Sequence, residues 1–240
     1  LKRVEERIAY QEALAGRGGG SLPDPLRDLQ PAALRTHYPA LPGTVSDRFA
    51  VLRQLQELGY EVGSGVLVGI PGQTYADLAD DIGWFERLGL DMIGVGPYIP
   101  HPQTPLGRAV LAGRGSAGAE QVPASELMTY KMVALARLAC PRANIPSTTA
   151  LATLNTASGR ELGLARGANI VMPNLTPRQY RAPYEIYPGK VCIAETADIC
   201  HGCMTRRIHA IGRRVGSGRG DSPSYQRRGQ ERAARERTER

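Results

Sequence analysis

The 240-residue chain has no apolar run near the roughly 20 residues that a bilayer-spanning helix needs, and no basic, apolar and small-residue succession of a secretory signal. A membrane protein of the helical type is therefore not expected, and the reading places the chain in the cytoplasm. Charge is also scarce where nucleic acid would need it. The net charge of +7 comes from Thr205 to Arg240, where eleven Arg face only Asp221, Glu231, Glu236 and Glu239. The remainder balances, so a nucleic-acid partner is not expected, and the Arg-, Gly- and Ser-rich end reads as a solvated, disordered tail. Cysteine is sparse as well, at four residues.

What is present is a repeated strand and helix grammar. Glu61 to Ile70 is apolar and Gly-rich without a helical period, as in a strand buried on both faces, and Pro71-Gly72 ends it in a turn. Thr74 can cap the helix that follows, in which Leu78, Ile82, Phe85 and Leu88 recur on one face and Asp77, Asp80 and Asp81 load the first half with negative charge. Gly89 stops it. Leu90 to Tyr98 reads as a second strand, running into a loop of Pro97, Pro100 and Pro102 at the end where α/β barrels build their sites.

The pattern extends both ways. Ser46 to Leu58 and Ser125 to Ala139 are predicted helices, the latter presenting Met128, Met132, Leu135 and Ala139. Ala143 to Leu151 and Ala168 to Pro173 are predicted strands, with a small helix over Arg160 to Arg166 between them. Helices between strands imply parallel pairing. Four αβ units between Ser46 and Pro173 are about half of what a closed barrel of roughly 250 residues contains. The predicted fold class is α/β, a partial TIM-like (β/α) barrel. Its predicted divisions are a poorly structured remnant over 1–45, a half barrel over 46–190, a Cys-containing extension over 191–215 and a disordered Arg-rich tail over 216–240. The start at Leu1 and the Gly-, Pro- and Leu-rich stretch from Arg17 to Pro42 are read as signs of an amino-terminal truncation.

Three of the cysteines carry the sharpest chemical signal. Cys140, before Pro141, reads as a packed small hydrophobe. Cys192, Cys200 and Cys203 form C-x7-C-x2-C, whose closing pair can place two thiolates on one metal or cluster. Zinc would take His201 or His209 as a fourth ligand; an iron-sulfur cluster could use the three thiolates with another group. A structural disulfide is the plainer reading, which a cytosolic setting weakens.

The strings GYEVGSGVLVGIPGQT, LDMIGVGPYIPHPQTPL, NIPSTTALATL, GANIVMPNLTP and YRAPYEIYPGKVC together resemble the carboxyl-terminal half of the radical-SAM maturases of FeFe-hydrogenase, the HydE type, and more distantly biotin synthase. The resemblance runs from about Asp47 to Gly220. It implies a radical-SAM barrel in which a reduced 4Fe-4S cluster cleaves S-adenosyl-L-methionine to methionine and a 5′-deoxyadenosyl radical. The family acts on an iron-cysteine carbonyl cyanide intermediate during H-cluster assembly, alongside other hydrogenase maturation proteins. Carried over by motif, Arg48, Met92, Met172 and Tyr184 would surround S-adenosylmethionine, and Thr148, Thr149 and Tyr187 would face the substrate. Cys192, Cys200 and Cys203 match the ligands of an auxiliary 2Fe-2S or 4Fe-4S cluster found in some members.

Two departures from the family pattern bear on activity. The C-x3-C-x2-C that holds the catalytic cluster does not occur in this sequence, and a Pro-, Leu- and Arg-rich linker stands where the family carries an Arg-x-Glu pair on a strand before the helix containing Arg48. The resulting expectation is a carboxyl-terminal half that is inactive alone. Other readings are a biotin-synthase-like relative, or a non-catalytic half barrel binding zinc.

Overall fold

The computed structural model describes residues 48–114, 118, 120–181 and 186–238. The expectation for 1–45 lies outside the described residues. Helix α1 (Arg48–Glu57) leads into β1 (Gly63–Val68), α2 (Tyr75–Arg87) and β2 (Met92–Pro97). There follow α3 (Pro105–Leu111), α4 (Glu126–Ala139), α5 (Thr149–Leu154), α6 (Gly159–Ala165), a 3-10 turn (Arg178–Tyr180), α7 (Ala197–Ala210) and α8 (Pro223–Thr238).

β1 and β2 pair in parallel with Gly63 opposite Met92 and Val68 opposite Pro97. The sheet continues as isolated parallel bridges, Met92 to Asn144, Val95 to Ser147 and Pro146 to Ile170. The third and fourth predicted strands are thus present as short extended segments, and the predicted strand to Leu151 stops at Ser147. Thr148 turns the chain there: its Oγ1 accepts the Leu151 N–H at 3.4 Å, capping α5, as a threonine in extended backbone does ahead of a helix.

The turn and cap read from the sequence for α2 form as expected. Thr74 Oγ1 accepts the Asp77 N–H at 3.2 Å while Asp77 Oδ2 accepts the Thr74 N–H at 2.7 Å, a reciprocal capping box. Gly89 follows with φ +56. Close strand approach explains one glycine: a Cβ on Gly65 would stand 2.0 Å from the Gly94 carbonyl oxygen, so β1 tolerates no side chain at that crossing.

The core lies between the sheet and helices α2 and α4. Val62, Val68, Leu78, Phe85, Ile93, Val95, Met132, Val133, Ile145 and Leu164 are buried together, each aliphatic side chain contributing about 1.5–3 kcal/mol by leaving water. Helix α4 turns Met128, Met132, Val133 and Ala136 inward. The predicted face included Leu135, which is exposed; the true face is rotated by the pairing of α4 with both α2 and β2.

The disorder expected of 216–240 does not hold over Pro223–Thr238. Pro223–Thr238 is a helix, and Arg228 pairs with Asp91, whose side chain is fully buried beside the amino end of β2. Arg228 Nη1 donates to Asp91 Oδ1 at 2.8 Å, and Nη2 donates to Oδ2. The Val62 N–H and the hydroxyls of Ser222 and Ser224 complete the carboxylate's shell at 2.9, 3.2 and 2.9 Å. A buried carboxylate without a cation is costly, so the fold gives this part of the tail a fixed place.

Candidate functional site

The carboxyl ends of the parallel segments gather the residues of interest. Thr148 and Thr149 are half-buried at the end of the third segment. Thr148 lies against the end of β2, since a Cβ on Gly96 would be 3.6 Å from its Oγ1. The Thr149 carbonyl accepts Thr153 Oγ1 at 3.0 Å, and Thr153 Oγ1 in turn accepts the Val191 N–H at 3.4 Å. One short helix thereby ties the threonine pair to the cysteine loop. Tyr187 is half-buried beside Thr153; burial pushes its phenol up to about 12, with the Thr153 hydrogen bond and Arg160 opposing.

The cysteine loop is built on a clamp. Arg181, buried, donates from Nε to the Thr176 carbonyl at 2.6 Å, from Nη2 to the Asn174 carbonyl at 2.9 Å, and from Nη1 to the Cys192 carbonyl at 3.1 Å and to the Glu195 carbonyl. Asn174 Nδ2 also donates to the Cys192 carbonyl at 3.0 Å. These bonds hold Cys192 at φ +62, a conformation that costs a non-glycine residue on the order of 1–2 kcal/mol and that the clamp offsets. Arg207 of α7 pairs with Glu161 of α6, Nη2 to Oε2 at 2.6 Å, fixing the cysteine-bearing helix against the α5–α6 corner.

Cys200 is buried and accepts the Asn174 N–H at 3.3 Å. Burial pushes the Cys192 thiol up, Arg160 pulls it down, and neighbouring Cys200 raises it further. Cys200 and Cys203 stand three residues apart on α7, on one face. All three are free thiols. The described residues contain no group of three or more His, Cys, Asp or Glu that could hold a metal ion. Cys140 is half-buried against the core, its thiol raised by burial.

The structure brings Thr148, Thr149, Tyr187 and Cys192 into one neighbourhood and leaves Met92 out of it. Met92 opens β2 opposite Gly63, about five residues and roughly 16 Å of strand from Pro97, at the end where Asp91 is sealed by the tail helix. That position does not suit a cofactor pocket at the carboxyl ends. Met172 is half-buried just past the fourth segment. Tyr184 and the side chain of Arg48 lie outside the described residues.

Sequence reading missed Arg160 and Arg181, both 3% exposed. The only signal was two arginines flanked by apolar segments, which does not separate a buried clamp from a surface charge.

No known family profile matches the chain. A curated protein is 44% identical over 170 residues, 71% of this chain. That relative is a hydrogenase maturase. It is the [FeFe] hydrogenase maturase subunit HydE of Thermotoga maritima, and the chain spans 45% of its length. The likeness to HydE stated from the strings is therefore matched over more than two thirds of the chain, with a mixed α/β fold and a small parallel sheet. Among the described residues no helix is long and apolar enough to cross a membrane.

Proposed function

We propose that this chain is the carboxyl-terminal half of a HydE-type radical-SAM maturase that works in assembly of the FeFe-hydrogenase H-cluster, and that it supplies the substrate-facing wall of the site. The 44% identity to HydE over 170 residues carries the reading. The seating of Thr148 and Thr149 at the carboxyl end of β2, where barrels place their chemistry, supports it. In this reading the substrate is a small organometallic iron-cysteine species, the other maturation proteins are the partners, and the four αβ units are half of the barrel.

In a full-length protein of this kind, a bound 4Fe-4S cluster would supply the electron for reductive cleavage of S-adenosylmethionine. The C-x3-C-x2-C that would hold that cluster is not in this sequence. The chain's own residues would bind and enclose. Thr148 and Thr149 offer hydroxyl donors to an anionic substrate, and Tyr187 adds a phenol that stays protonated through the physiological range, because burial raises it. Met172 offers a polarizable wall for the adenosyl group, joined by Arg48 and Tyr184. A closed cavity matters because a carbon radical abstracts hydrogen from whatever lies nearby, so the target atom must be held close and water excluded.

Two measurements test the proposal. The isolated chain, reconstituted anaerobically with iron and sulfide, should yield no 5′-deoxyadenosine above a no-protein control. A chimera in which residues 47–220 replace the matching segment of HydE should mature hydrogenase, and Thr148→Val with Thr149→Val in that chimera should lower its maturation at least about tenfold, the cost of about one lost charge-assisted hydrogen bond. A soluble, cluster-loaded chimera without activity would refute the reading.

A further inference from the structure

Arg160 is the buried charge for which the structure has no use of its own. It is 3% exposed, and its backbone carbonyl accepts Ser147 Oγ at 3.0 Å, which pins it beside the end of the third segment. Among the described residues its Nη2 reaches the sulfur of Cys192, at 3.9 Å. Its Nη1 is buried and, among the described residues, is the side-chain nitrogen or oxygen left without a hydrogen-bond partner. A guanidinium cannot shed its proton to escape burial, so an unfilled donor here costs more than an unmade neutral bond.

Neighbouring arginines show that the fold can satisfy such a group. Arg181, equally buried, has all three of its nitrogens on backbone carbonyls. Arg207 holds the nearby carboxylate, Glu161, in a two-point pair, so that anion is already engaged. Arg160 acts on that carboxylate through its charge without a hydrogen bond among the described residues, and it also bears on the half-buried Cys192 thiol and the Tyr187 phenol. Neither neutral group balances a charge.

We propose that Arg160 anchors a small anion, with Nη1 donating to an oxygen or sulfur acceptor that lies against Tyr187 and Cys192. Two sources share this chemistry. One is the carboxylate of an amino-acid-like substrate entering from the threonine side; the other is inorganic sulfide delivered to the cysteine loop. Naming these two sources rests on the proposed function; the anion site itself rests on the stranded guanidinium.

Thermal unfolding of the 240-residue chain tests it without iron or S-adenosylmethionine. Sodium formate and, anaerobically, sodium hydrosulfide are each titrated against sodium chloride at equal ionic strength. At about ten times Kd the chain should gain roughly 3–5 °C in Tm. Arg160→Met should lose that gain and, because it removes an unbalanced buried charge while keeping the aliphatic stem, should match or exceed the unmodified chain in chloride. If Arg160→Met does not fold, Arg160→Lys keeping the gain and Arg160→Gln losing it give the same support. A gain with formate alone assigns a carboxylate, with hydrosulfide alone a sulfide, and with both a site selecting charge. No gain with either anion, or an equal gain in the Met or Gln variant, overturns the proposal. Failure of the HydE chimera would leave this anion response untouched, so the two readings fail separately.

Discussion

Replacing Arg228 with alanine leaves Asp91 as a fully buried carboxylate with no cation. The pair joins residues 137 apart in sequence, from the tail helix to the amino end of β2. Breaking a buried pair from one side typically costs about 3–5 kcal/mol. Two features reduce that here. The Arg228 side chain is 33% exposed, so water already screens part of the attraction, and Asp91 keeps the Val62 N–H and two serine hydroxyls. We therefore expect a loss of about 2–3 kcal/mol, which for a domain of this size lowers Tm by roughly 4–12 °C. Urea unfolding followed by far-ultraviolet circular dichroism reads the free energy. Combining Arg228→Ala with Asp91→Asn in a double-mutant cycle isolates the pairwise part. The double variant should lose less than the sum of the single changes, because the stranded charge is gone. A loss under about 0.5 kcal/mol for Arg228→Ala, or strict additivity in the cycle, would show that the tail helix is not anchored by this pair.

Two further outcomes follow from local geometry. Asp81 on α2 is half-buried, and burial, then Asp77 and Asp80, raise its carboxyl from 3.8 to about 7. Between pH 4 and 7 the folded chain therefore keeps a proton that the unfolded chain has shed, and stability falls as pH rises through that window. Asp81→Asn should match the unmodified chain at pH 4 and exceed it by about 2 kcal/mol at pH 8, a linkage value discounted for its partial exposure; an equal gap at both pH values in urea titrations counts against the assignment. Gly65→Ala should prevent stable folding, since its Cβ would meet the Gly94 carbonyl at 2.0 Å, whereas Gly89→Ala, with φ +56 and nothing within 4 Å, should cost only about 1–2 kcal/mol. Comparable stability of the two variants would mean that the β1–β2 approach is looser than it stands.

Local signals were legible because they act locally. The Thr74 cap, the Gly89 stop and the alternation of apolar helix and apolar strand each depend on residues within a few positions, and each formed where expected. The end of the third strand was misplaced for a related reason. The apolar run through Ala150 and Leu151 looks alike as strand or helix, and only the Thr148 side chain turning back on the Leu151 N–H decides it. Long-range electrostatics left no such mark. Asp91 reads as one polar residue between apolar neighbours, and Arg228 as one of eleven arginines in a solvated run, until the fold sets them together.

The same distinction separates the legible part of the candidate site from the rest. Thr148, Thr149, Tyr187 and the three cysteines stand out by residue type and spacing, and the roles proposed for them rest on the likeness to HydE. Arg181 and Arg160 act through burial, which spacing does not encode. Arg181 uses its burial to hold Cys192 in a left-handed turn through carbonyl contacts that no side-chain motif records. Arg160 shares its depth but has one sulfur at 3.9 Å in place of three carbonyls. A fold that satisfies one buried guanidinium fully and leaves its neighbour open has placed a positive charge where an anion from outside the chain completes it. The Cys192 thiol at 3.9 Å and the Tyr187 phenol are the groups that such an anion would meet beside that charge.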